Sequence, residues 1–270
     1  MKPLVFSIPD SNQSAWLDQV AQSDVLRVLE LPCEYLDTPS QWQSLSDRGL
    51  TVAAARDLIA PEAMRNLSGL SETHRNQLLS LAGSRLARLR EHGVGTVVFD
   101  FGIGRHAGDD TSSQFGLSVR FLRDLMVAAA PQDVNVCLQA RFPFVFPQSP
   151  QWDLIGNLIH EVMHPNCRLT LDLFASELED GFEEREFLRQ CGYHLSVLRF
   201  CFEPMAGQKL LADSASAWRN ALANYLFKGL VVLRPVGEIP VEKIESVRRS
   251  LETQAELIIT QGESADDDFV

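Results

Sequence analysis

Short apolar runs alternate with helical patterns along nearly the whole chain. Runs at 4–8, 25–31, 50–55, 96–101, 134–140, 167–174, 197–202 and 229–233 are rich in Val, Leu and Phe and read as strands. Between them, apolar residues recur at helical spacing: Trp16, Leu17 and Val20 within 14–21, Trp42 and Leu45 within 39–46. The helix at 71–92 carries a stripe of Leu78, Leu79, Leu81, Leu86 and Leu89, with Ser71 placed to cap it and Gly93 to stop it. Gly49 closes the helix before it, and further helical patterns cover 114–130, 152–164, 183–191, 214–225 and 241–259.

Strands that alternate with helices imply parallel pairing, because a helical crossover returns the chain to the same end of the sheet. Eight such units over 270 residues predict an α/β fold, a (β/α)8 TIM barrel. The barrel domain spans 1–262, and an acidic tail follows at 263–270. An open nucleotide-binding sheet is the rival, but it needs G-x-G-x-x-G after its first strand. The near match, Gly102-Ile103-Gly104, follows the fourth strand and does not complete the pattern. The organising stretch is CRLTLDLF at 167–174, which places Asp172 at the C-terminal end of a buried run.

Composition narrows the function classes. The net charge of -12 argues against nucleic acid and against an anionic membrane surface. The five cysteines are scattered without a C-x-x-C pair, which fits a reducing cytoplasm better than a disulfide or zinc framework. The N-terminus lacks a long apolar core of the signal-peptide kind, and no run is long enough to span a bilayer. The expected localisation is cytoplasmic.

Three segments, VLELP, HGVGTVVFDFG and NLIHEVMHPNCRLTLDLF, resemble the xylose-isomerase-like barrels. This is the superfamily of sugar-phosphate isomerases and epimerases, inosose dehydratases and AP endonucleases. The resemblance implies a divalent metal held by a Glu after the fifth strand, an Asp after the sixth, a His or Gln after the seventh and a Glu after the eighth. It also implies a sugar whose oxygens complete the metal shell while a proton moves next to a carbonyl. At the matching positions this chain has Gln139, Asp172, Cys201 or Glu203, and Arg234. Asp172 alone is a retained ligand. An arginine is permanently cationic and cannot ligate a metal, so the ligand set is not intact.

Candidate residues near the mouth divide by role. Asp172, Glu203 and Glu30 are candidate catalytic carboxylates; Gln139, Arg141, Arg234, Asp100 and His106 are candidate substrate-binding groups. Arg234 has two readings, an oxyanion clamp or a structural salt bridge with Asp172. Gln139 can orient a substrate hydroxyl or bond Asp172. Glu30 is either a site residue or an inward anchor, and His106 an acid/base, a relocated metal ligand or an exposed loop histidine. HEVMH at 160–164 completes a zinc-binding pattern on paper, but Pro165 closes the helix directly after it. The aromatic loop at 141–152 reads as a contact between copies of the chain, and otherwise as a lid.

The combined expectation is a sugar or sugar-phosphate isomerase/epimerase-like barrel that acts on or binds a small polar carbohydrate or sugar acid, with its divalent-metal site degraded. The alternative is a non-catalytic ligand-binding or interaction protein that keeps the barrel. An AP-endonuclease-like nuclease needs a cluster of His and acidic zinc ligands and a basic face. Six scattered histidines and the acidic balance disfavour it.

Overall fold

A computed structural model describes residues 4–64, 69–100, 111–141, 150–174, 188, 192–206 and 227–260. The strands are β1 (Val5–Ser7), β2 (Val28–Pro32), β3 (Thr51–Arg56), β4 (Thr96–Phe99), β5 (Asn135–Arg141), β6 (Cys167–Phe174), β7 (Leu195–Phe202) and β8 (Leu230–Pro235). They close in sequence order into a barrel, and every described pairing is parallel. The α/β (β/α)8 expectation is therefore borne out. Strands buried on both faces need apolar residues at nearly every position, which is why the runs are continuous rather than alternating.

The described helices are α1 (Gln13–Val20), α2 (Pro39–Asp47), α3 (Pro61–Met64), α4 (Glu72–Glu91), α5 (Thr111–Ala129), α6 (Pro150–Val162) and α7 (Ile244–Thr260). The short α3 lies outside the helical patterns read from the sequence. The helix expected at 214–225, the tail at 263–270 and His106 lie outside the described residues. So does most of the aromatic loop, and of the helix expected at 183–191 only Leu188 is described.

The helix ends follow from local chemistry. The Ser71 hydroxyl accepts from the His74 N–H at the start of α4. At its other end Gly93 takes φ +76°, Val94 N–H donates to Leu89 O (2.8 Å) and Gly93 N–H to Arg90 O (3.0 Å). This pair of bonds closes the last turn with a left-handed residue that glycine adopts without a Cβ penalty. Gly49 closes α2 in the same way, with Leu50 N–H on Leu45 O (3.0 Å) and Gly49 N–H on Ser46 O (2.9 Å). The buried stripe of α4 is Ala82, Leu86 and Leu89, whereas Leu81, expected in it, is exposed. Leu81 stands one helical step aside, on the face of Arg85 and Arg88.

The chain divides into two compact units. The first comprises Met1–Glu30, Trp42–Val52 and Asp172–Val270; the second comprises Leu31–Gln41 and Ala53–Leu171. In the first, β1 pairs with β2 (Phe6 with Leu29, Ser7 with Glu30) and with β8 (Val5 with Val232). Trp16 of α1 is fully buried, its ring 5.5 Å from that of Phe6. In the second unit, Asp37 ties α4 down: Arg85 donates to both its oxygens and Arg88 to one, at 2.6–3.2 Å. Arg85 also donates to the Leu58 carbonyl at 2.8 Å.

Candidate functional site

The first unit buries a line of alternating charges. Arg199, in the middle of β7, donates through Nε (3.0 Å) and through a terminal nitrogen (2.5 Å) to Oε1 of Glu30. Its other terminal nitrogen lies 3.6 Å from Asp172 at the C-terminal end of β6. Arg234, near the end of β8, brings Nη1 to 3.5 Å from the other Asp172 oxygen. The order is Glu30, Arg199, Asp172, Arg234. Glu30 and Arg199 are fully buried and Asp172 is 2 % exposed, while Arg234 keeps 22 % of its side chain open.

Strand register explains why these groups meet. Partners across parallel strands share a face, and residues two apart on one strand share it too. Cys201 pairs with Arg234 and Arg199 with Val232, so Arg199 lies one layer below the Cys201–Arg234 layer. Ser7 pairs with Glu30 on the neighbouring strands. Stacked layers of this kind fill the interior of a closed barrel.

The electrostatics follow from burial. Burial pushes the Asp172 carboxyl above the ordinary aspartate range, and the guanidinium groups of Arg199 and Arg234 oppose that rise. Glu30 and Asp172 hold Arg199 firmly cationic against its own burial. Burial also pushes the Cys201 thiol well above its usual range, so it stays protonated.

These residues fit a divalent cation poorly. Asp172 already faces two guanidinium groups, Cys201 holds its proton, and the β8 position is itself a cation. Among the described residues no group of three or more His, Cys, Asp or Glu side chains comes together to hold an ion. The HEVMH pattern does not form a helical pair. The helix α6 ends at Val162, Met163 takes φ +50°, and His164 turns away to accept from the Asn166 N–H at 3.2 Å.

The register left open on β7 is now assigned. Cys201, not Glu203, stands level with Arg234, and Glu203 lies exposed just past the strand. Asp100 is buried directly after β4, and Gln139 is partly buried on β5, both in the second unit. Arg141 is the last residue of β5. The structure thus brings Asp172, Glu30 and Arg234 together through a residue that the sequence reading did not select, Arg199. Its signal was present: a charge in the middle of VLRFCF, flanked by apolar residues, must find an acid once the strand is buried.

Fold and site together define an α/β barrel with charged groups at the C-terminal ends of its strands. No family model and no curated protein matches the sequence. Solved structures do match. D-psicose 3-epimerase from Clostridium cellulolyticum H10 is 18% identical at a TM-score of 0.66, over 96% of this chain and 97% of that one. A xylose isomerase domain protein from Alicyclobacillus acidocaldarius is 15% identical at 0.68, over 95% and 99%. The 3-keto-D-glucoside 4-epimerase YcjR from E. coli is 15% identical at 0.67, over 94% and 99%. The resemblance to the xylose-isomerase-like barrels holds at the level of the fold.

Proposed function

We propose that this barrel takes a small polar carbohydrate at the C-terminal ends of its strands, and that Arg234 stands in for the divalent cation that the sequence resemblance implies. The carrying observation is the Arg234–Asp172 pair, a partly open guanidinium 3.5 Å from a buried carboxylate. Sugar epimerases among the structural neighbours support the ligand class. In this reading Asp172 takes a proton from the carbon next to a carbonyl, and the Arg234 N–H groups stabilise the oxygen that gains charge. A carboxyl raised by burial is a stronger base than a free aspartate, which suits that task. Glu203 is the second carboxylate that returns the proton. Glu30 stays out of the chemistry and positions Arg199.

The burial of Asp172 between two guanidinium groups favours a second reading, a binding protein without turnover. One experiment separates the two. The purified protein is analysed for metal, melted with Mn²⁺ and with a chelator, and incubated with ketohexoses in D₂O while C–H signals are followed by NMR. Exchange in the wild type that disappears in Asp172→Asn, with no metal and an unmoved melting temperature, is the expected result. Sugar binding without exchange supports the binding protein. A stoichiometric, stabilising metal overturns the replacement by Arg234.

A further inference from the structure

The two arginines of the cluster differ in how their donors are used, and the difference says what the ligand carries. Arg199 is fully buried and sends two N–H groups to Glu30 at 3.0 and 2.5 Å. Arg234 is partly open, and its one ion pair among the described residues is the 3.5 Å approach to Asp172. That separation is longer than the roughly 2.7–2.9 Å of a charge-assisted hydrogen bond. A guanidinium has five N–H donors in a planar fork, and no described residue accepts a hydrogen bond from that of Arg234. Donors in a largely buried position are normally satisfied, by protein, water or a ligand.

We infer that Arg234 is an oxyanion-binding residue, so that the carbohydrate proposed above carries a carboxylate or phosphate that docks on its fork. This rests on that reading and adds the charged group. The chemistry fits the position. Arg234 stands near the C-terminal end of β8, level with the neutral Cys201 rather than with an acid. With all four groups ionised, Glu30 and Asp172 balance Arg199 and Arg234. Two coplanar oxygens match the fork, which a neutral sugar hydroxyl cannot do with the same charge.

Calorimetric titration with D-galacturonate, D-fructose 6-phosphate and D-fructose, in chelator, tests this. Charge-assisted hydrogen bonds contribute about 1.5–3 kcal/mol, so one of the anionic sugars should bind about 10–100-fold more tightly than D-fructose. Arg234→Gln should remove that advantage, so that the anionic sugars bind this variant no more tightly than D-fructose does. Arg234→Lys should restore only part of it, because the charge returns without the fork. Preference for the uronate or for the phosphate tells the two oxyanions apart. D-Fructose bound as tightly as both anions, with Arg234→Gln silent, overturns the oxyanion role and leaves the carbohydrate reading standing. Binding of none of the three overturns both. Unchanged melting of both variants ensures that a lost advantage reflects the side chain and not the fold.

Discussion

Arg199 is the residue on which the buried cluster depends. It gives Glu30 two hydrogen bonds in a place that water does not reach, so removing it takes a charge partner and two donors from a buried carboxylate. Breaking a buried ion pair from one side costs about 3–5 kcal/mol, whereas replacing both partners by apolar groups of similar size is often neutral. Arg199→Met should therefore destabilise the protein by about that amount in urea unfolding. Adding Glu30→Leu should recover much of the loss. Two additive penalties would mean that Glu30 and Arg199 are not coupled. Arg199 was readable in the sequence as an anomaly, a charge inside an apolar strand, but its partner was not. Glu30 lies 169 positions away, and only strand pairing brings them together.

At the scale of elements, local chemistry sets where helices begin and end. Ser71, Gly49 and Gly93 were legible because capping uses bonds within one turn, and each caps its helix end as expected. The end of α6 was less legible. Its pattern runs on to His164, yet Met163 enters the left-handed region and the helix stops at Val162. The tie between α4 and the turn at Tyr35–Asp37 was not legible, because it joins residues 48 and 51 positions apart. Asp37 accepts one hydrogen bond from Arg88 and a fork from Arg85, all partly buried. Asp37→Asn should cost about 1–3 kcal/mol. Native-state hydrogen exchange should show faster exchange in α4 and little change in β7 and β8. Equal acceleration in both places would show that Asp37 does not hold α4 in particular.

For the whole molecule, the closed sheet makes stability depend on pH. Burial raises the thiol of Cys33, after β2, and that of Cys167, on β6, from 9.0 to about 12. A folded-state value above the unfolded one means that the folded chain keeps protons which the unfolded chain releases. The contribution is full below pH 9.0 and is lost progressively as pH rises towards about 12. Urea midpoints should therefore fall between pH 8 and pH 11, and Cys33→Ala should reduce the slope even though it lowers stability at pH 8. An unchanged slope in that variant would remove Cys33 from the account. No described helix is long and apolar enough to cross a membrane.

The division between what was readable in one dimension and what was not has a physical cause. Continuous apolar strands alternating with capped helices specify parallel strands covered by helices, because burial on both faces and right-handed crossovers leave few other arrangements, and eight such units point to closure into a barrel. The strand-end position of Asp172 follows from the same pattern. What the sequence could not decide was which charges neutralise one another. That depends on stagger between strands far apart in the chain, where a shift of one residue turns a side chain to the other face. Strand pairing sets Cys201 rather than Glu203 level with Arg234, and it draws Arg199 between Glu30 and Asp172.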